Sequence, residues 1–211
     1  MTCLFLDTSS EFLRLSLIKD DDILYEKNII TKNDHSSYLV PFIDEAFKKN
    51  NIKFDDLDRL IVGIGPGSFT GTRISITVSK VYAYLLKIPI IGISSLEIMI
   101  YNNDNNYDYY IPIIEEKNNN VYYAIFDKDR KRIIEDTLSS IDDVFYELDK
   151  YSGKKLIISH KGIKYDNYDC VDEVINALEI NKNIFINNEE INPHLLKPNY
   201  IKKIDAESKK W

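Results

Sequence analysis

The chain has 211 residues, 44% of them apolar and 29% charged, and a net charge of −7. That length allows one large or two small domains, and the composition suits a globular chain with a buried core. The acidic excess disfavours direct contact with a phosphate backbone, and no segment has the roughly 18 consecutive apolar residues of a membrane span.

Asp7 interrupts the apolar N-terminal run, so no leader is expected and the protein reads as cytoplasmic. Cys3 and Cys170 belong to no CxxC pair and read as small buried hydrophobes in a reducing compartment. His35, His160 and His194 are far apart, make no metal signature and read as ordinary surface or capping residues.

Met1–Leu6 reads as a buried strand. Phe12–Ile18 alternates, with Leu13, Leu15 and Leu17 on one face and Arg14 and Ser16 on the other. Ile23–Ile30 completes an antiparallel meander. His35–Asn50 has helical spacing, with Leu39, Phe42, Ile43, Ala46 and Phe47 in one stripe. Leu60–Ile64 is a β-branched run that predicts a parallel strand. A glycine-rich loop follows, then a helix from about Thr72 to Leu86. Ile90–Ile93 predicts another strand, and Ser94 or Ser95 caps a short helix to Tyr101.

The polar stretch 102–109 reads as a boundary, giving a first domain over 1–104 and a second over 105–192. After it, Tyr110–Ile114, Val121–Phe126 and Arg132–Glu135 predict three more strands. A helix follows over Ile141–Tyr151, capped by Ser139 or Ser140, then a strand at Lys155–Ser159. Val171–Leu178 reads as helical, and 193–211 shows no period. The order of three strands, helix, strand thus occurs twice. An α/β duplicated RNase H-like fold, as in actin and sugar kinases, gives two such βββαβα units, although periodicity alone leaves other α/β folds open.

Four of the seven glycines fall in one stretch, Gly63, Gly65, Gly67 and Gly71, between a strand and a helix. Such glycines permit close backbone approach, and helix N-terminal amides with the Ser68 and Thr70 hydroxyls favour an anion. No Gly-Lys-[Ser/Thr] makes it a P-loop, and the spacing is not G-x-G-x-x-G. A tight turn that only glycine can follow explains the stretch equally well.

Gly65-Pro-Gly-Ser-Phe-Thr-Gly-Thr-Arg73 matches a GPGSFTGxR signature, and there the chain resembles the TsaB (YeaZ) family. Asp7-Thr-Ser9, His35 ahead of Leu39-Val-Pro41, Ile88-Pro-Ile-Ile-Gly-Ile-Ser-Ser95 and the terminal Lys197-Pro-Asn-Tyr-Ile-Lys202 resemble further family stretches. Met1 to about Ser95 matches well, the second half only in outline.

The resemblance implies the duplicated fold and a tail, about 193–211, that packs back on the first domain. It implies a non-catalytic subunit of the tRNA threonylcarbamoyladenosine (t6A) synthase, partnered by the catalytic subunit TsaD and the ATPase TsaE. It also implies homodimers when alone, and contact with tRNA only through other subunits. Ser95 and Met99 stand where TsaD carries a His-x-x-x-His pair, so no metal and no cofactor are expected. Asp7, Ser9, Gly65, Gly67, Ser68, Thr70, Gly71 and Arg73 are the candidate nucleotide- or anion-proximal residues. Glu115 is the second-domain counterpart of Asp7, and Ser159-His-Lys-Gly-Ile163 stands where a second phosphate loop would be.

On the helix after the loop, Ile74, Val78, Val81 and Leu85 form a stripe expected to pack on the sheet. Ile76, Ala83 and Tyr84, interleaved with Lys80, form the candidate partner interface. The alternatives are an ATP-dependent phosphotransferase of the same fold, in which Asp7 organises magnesium, and a peptidase, which no Ser/His/Asp arrangement or metal pair supports.

Overall fold

A computed structural model of the chain describes residues 1–31, 34–102, 106–160, 164–187 and 190–201. In the first half, β1 (Thr2–Asp7), β2 (Phe12–Lys19) and β3 (Asp22–Ile30) form an antiparallel meander, and α1 (His35–Lys49) leads to β4 (Arg59–Gly63). Helix α2 (Phe69–Leu86) and β5 (Ile90–Ile93) follow, with β4 parallel to β1 and β5 parallel to β4. The sheet order is β3-β2-β1-β4-β5.

After the short α3 (Ser95–Ile98), the second half repeats this plan with β6 (Tyr109–Glu115), β7 (Asn120–Asp127), β8 (Arg132–Ser140), α4 (Ile141–Leu148), β9 (Lys155–Ser159) and β10 (Asp169–Asp172). Its order, β8-β7-β6-β9-β10, is the first sheet's with each number raised by five. The fold is therefore a duplicated RNase H-like one.

Strand alternation divides each sheet between two cores. Leu4, Leu6, Leu60 and Val62 face α1 and α2, whereas Cys3, Phe5 and Ile61 face the other side and meet α5 (Ala177–Asn187) through Ala177, Ile180 and Ile184. Burial pushes the Cys3 thiol up to about 12, so it behaves as an inert hydrophobe. Cys170 is half-buried and also free. Ile111, Ile113 and Ile125 pack on α4 through Val144 and Leu148. Helix α3 and the turn after it serve both halves. Ile98 and Tyr101 enter the first sheet's core, and Leu96, Met99 and Ile100 enter the second's.

Several expectations require correction. The strand expected over Arg132–Glu135 runs on to Ser140, where the Ser140 hydroxyl caps α4. Val171–Leu178 is not one helix: Val171 lies in β10 and the helix begins at Ala177. The β-branched and Cys residues of 169–172 form a parallel edge to β9, a pairing that sequence periodicity does not report. Helix α5, which falls before residue 192, covers the first sheet. Arg14 and Ser16 are as buried as the leucines beside them.

Helix α2 starts at Phe69 rather than Thr72, because the Ser68 hydroxyl accepts the Gly71 amide as N-cap. Its faces follow the expectation only in part: Ile74 and Val78 pack on the first core and Tyr84 is exposed. Thr72, Ser75, Ile76, Ser79 and Ala83 are buried, whereas Val81 and Leu85 are exposed. A stripe of small residues lets the helix approach the sheet closely, and close packing outranks the hydrophobicity of the individual side chains.

Residues 190–201 cross back over the first half. Ile191 bridges Ile90, Leu196 enters the first core, and the Asn199 amide donates to the Ile64 carbonyl. No helix among the described residues is long and apolar enough to cross a membrane.

Candidate functional site

The glycine loop is built against the end of β1. The Ser68 amide donates to the Ser9 carbonyl at 2.5 Å, and the Thr8 hydroxyl donates to the Gly71 carbonyl at 2.6 Å while accepting the Ser75 amide. A Cβ on Gly71 would lie 2.0 Å from the Thr8 carbonyl oxygen, and one on Gly67 (φ +148°) 2.1 Å from that of Ser9. These two positions require glycine because protein backbone already occupies the adjoining space. The Ser68 and Gly71 amides, which the anion reading needed, have protein partners.

Ser95 completes the turn. Its hydroxyl accepts the Gly65 amide and donates to Asp7 Oδ1, and its own amide donates to the Gly65 carbonyl. Met99, at the other position matched to the TsaD histidines, is fully buried in the second core. No cluster of three or more His, Cys, Asp or Glu side chains suited to a metal occurs among the described residues.

Asp7 is fully buried, and both of its oxygens are engaged: Oδ1 by the Ser9 amide and the Ser95 hydroxyl, Oδ2 by Arg14 at 2.8 Å. Arg14 turns its other nitrogen to Glu173 at 2.7 Å, and Glu173 also pairs with His160. The chain Asp7–Arg14–Glu173–His160 therefore links β1 and β2 to the ends of β9 and β10. A buried cation between two carboxylates is compensated in a way that either carboxylate alone is not. The sequence pattern does not assign Arg14 or Glu173 to the site, and it reaches His160 only as part of the candidate second phosphate loop. The only trace was a charged residue inside the otherwise apolar alternation of β2.

Of the three histidines expected at the surface, only His194 is exposed. His35 is buried, donating from Nε2 to the Ser10 carbonyl with Nδ1 accepting from the Thr31 hydroxyl, and burial lowers its pKa.

Beside this network lies a cleft of about 240 Å³ between the two halves, lined by Ser9, Glu11, Gly67, Ser68, Glu115, Glu116 and His160 among others. Of the candidate anion-proximal residues, Ser9, Gly67 and Ser68 line it, and Glu115 does so at the end of β6, as Asp7 ends β1. Thr70 and Arg73 line a groove between α1 and α2 instead. Arg73 lies 3.8 Å from the Phe69 ring centre and donates to the Tyr200 hydroxyl, while the Phe69 and Tyr200 rings stack. The glycine signature and the terminal Pro-Asn-Tyr segment are thus each other's partners. The second candidate phosphate loop lies outside the described residues from position 161 on, as does Lys202.

Among the candidate interface residues, Ile76 and Ala83 are buried against the sheet. Lys80 donates to the Leu196 carbonyl, so it belongs to the tail contact. Tyr84 alone of the four is exposed, at 61%.

A family described as TsaD: tRNA N6-adenosine threonylcarbamoyltransferase matches residues 28–206. The tRNA threonylcarbamoyladenosine biosynthesis protein TsaB of Bacillus subtilis is 32% identical over 126 residues, 60% of this chain and 55% of that protein. The chain belongs to this family, on its TsaB (YeaZ) branch. The TsaB protein of Escherichia coli is 27% identical over 63% of this chain and 58% of its own length. The chain thus spans little more than half the length of these TsaB relatives. YeaZ from Pseudomonas aeruginosa superposes with a TM-score of 0.75 at 17% identity, covering 94% of this chain and 99% of that one. A second Pseudomonas aeruginosa structure, described as similar to peptidase YEAZ, gives 0.80 at 18% identity, covering 95% and 99%. These two likenesses carry the TsaB fold.

Proposed function

We propose that the chain is a non-catalytic accessory subunit in tRNA threonylcarbamoyladenosine synthesis. In this reading it docks the catalytic subunit TsaD through the outer face of α2 and helps recruit the ATPase TsaE. Alone, it pairs with a second copy through the same face. The net charge of −7 suits a subunit that leaves tRNA to its partners.

The observation that carries the proposal is the outer face of α2. Val81, Tyr84 and Leu85 are 52%, 61% and 67% exposed, and Thr77 beside them is uncharged. A helix face turned to solvent is normally charged, and an apolar one marks a contact surface. The face adjoins the α1–α2 groove of about 430 Å³, lined by Leu39, Val40, Ile74 and Val78.

The phosphotransferase reading is disfavoured by two features. Arg14 holds Asp7, and the cleft beside the glycine loop is rich in carboxylates, which repel a nucleotide.

The test is Tyr84→Asp with Leu85→Asp, assayed by light scattering and by binding to TsaD. Both side chains are exposed, so the fold is retained, and loss of two central apolar contacts weakens association roughly 30-fold or more. Unchanged self-association together with unchanged TsaD affinity would refute the docking face.

A further inference from the structure

We infer that the segment 190–201 is a clasp between the two halves: Asn199 ties the glycine turn of the first half to β8 of the second and so fixes how the halves sit on one another. The backbone amide of Asn199 donates to the Ile64 carbonyl at 2.7 Å, at the entrance to the glycine turn. Its side-chain amide donates to Asp136 on β8, also at 2.7 Å. The two bonds leave the same residue in two directions, joined only by a short side chain held in a staggered rotamer. There is no slack between them, so the halves cannot part at this point without breaking one.

The neighbouring residues repeat the arrangement. Leu196 is buried in the first half's core, and Ile201 packs on the second half's core. Lys80 donates to the Leu196 carbonyl, and Tyr200 stacks on Phe69. The short stretch from Leu196 to Ile201 therefore reaches from one core to the other, and Asn199 lies between the two anchors.

The surroundings of Asp136 explain why an asparagine stands at 199. The Asp136 side chain is 8% exposed and accepts from three sources: the Arg132 guanidinium, the Ser94 hydroxyl at 2.7 Å and the Asn199 amide. Arg132 also pairs with Glu97 at 2.9 Å. One guanidinium thus serves two partly buried carboxylates and leaves a negative charge in excess. A carboxylate withdrawn from water is costly unless donors surround it. Asn199 and Ser94 supply those donors without adding charge. Ser94 in turn accepts the Leu96 and Glu97 amides as the cap of α3. Asp136 therefore gathers the start of α3, the edge strand of the second sheet and the returning segment at one point. None of these side chains belongs to the outer face of α2, so the clasp stands or falls apart from the docking proposal.

Hydrogen–deuterium exchange of the full chain, read by mass spectrometry, tests the clasp. Asn199→Ala removes the side-chain donor and leaves the backbone amide. Exchange should quicken roughly tenfold, the worth of a hydrogen bond to a charged group, in two places that belong to different halves: at Ile64 and Gly65, and in β8 over 134–138. Asn199→Asp should have the larger effect, since it sets one carboxylate against another. Tyr200→Ala is the control, because it loosens the segment from α2 and should leave 134–138 unchanged. Acceleration at only one of the two places, or at neither, overturns the inference, because Asn199 would then cover one half without holding the other. Acceleration spread evenly over both sheets, with a matching fall in the denaturation midpoint, overturns it as well, because Asn199 would then support general stability without joining these two surfaces.

Discussion

The two halves share one strand order but differ in what joins their last two parallel strands. Between β4 and β5 the chain makes the glycine turn and the 18-residue helix α2. Between β9 and β10 it runs through residues 160–168, with no helix among the described ones, and delivers His160 to the cleft. A repeated sheet therefore does not imply a repeated site. The first half carries the connection with an exposed helix face, whereas the second supplies Glu115, Glu116 and His160 to the cleft and Glu173 to the buried network behind it. Arg14 is one point at which the halves meet through charge.

Arg14→Met breaks that meeting point most severely. It strands Asp7 and Glu173 as buried carboxylates, and a broken buried pair costs about 3–5 kcal/mol. Urea unfolding reads the loss. Adding Asp7→Asn recovers part of it, and a double-mutant cycle gives the coupling. If Arg14→Met is as stable as the parent, the clamp between the halves is not what holds Asp7.

Gly71→Ala comes next and tests the glycine turn of the first half. The new methyl carbon meets the Thr8 carbonyl at 2.0 Å. Displacing backbone in a packed region costs about 1–3 kcal/mol, read from the same denaturation midpoint. A neutral result would mean that the turn is looser than its contacts imply.

Tyr200→Ala removes the stack on Phe69 and the Arg73 hydrogen bond, which bind the tail to α2. A loss of about 1–2 kcal/mol is expected from an aromatic pair plus one hydrogen bond, with faster amide exchange confined to 190–201 and the first turn of α2.

The smallest effect contrasts the two helices that follow the meanders. Helix α4 opens on the Ser140 hydroxyl, whereas α1 lacks a side-chain cap and opens on buried His35. Burial lowers the His35 pKa below its unfolded value of about 6.5. The unfolded chain therefore takes up the proton first. The stability that His35 contributes is complete above about pH 6.5 and declines as the pH falls below it. Midpoints measured between about pH 7.5 and 5.5 should fall for the parent and change less for His35→Asn.

The elements were largely legible in the sequence because strands such as Leu60–Gly63 and the stripe of α1 follow simple periods. The faces of α2 were not. Ser75, Ser79 and Ala83 carry little hydrophobic signal, yet their small size decides which side meets the sheet. β10 was missed because Asp169–Asp172 is short and acquires its identity only from the β9 edge. At the site, Asp7 and the glycines were found by pattern. Glu173 was not, since its significance arises from a contact with Arg14 that spans 159 residues of chain, and His160 joins the network only through Glu173. Asp136 was hidden in the same way: it accepts from Ser94, Asn199 and Arg132, which come from three separate parts of the sequence.

Helix α3 has a further consequence. Neighbouring side chains on about one helical turn insert into opposite cores, Ile98 and Tyr101 into one and Leu96, Met99 and Ile100 into the other. Neither core can melt without pulling the wedge from its neighbour. Differential scanning calorimetry should therefore record a single heat-absorption peak whose calorimetric and van't Hoff enthalpies agree.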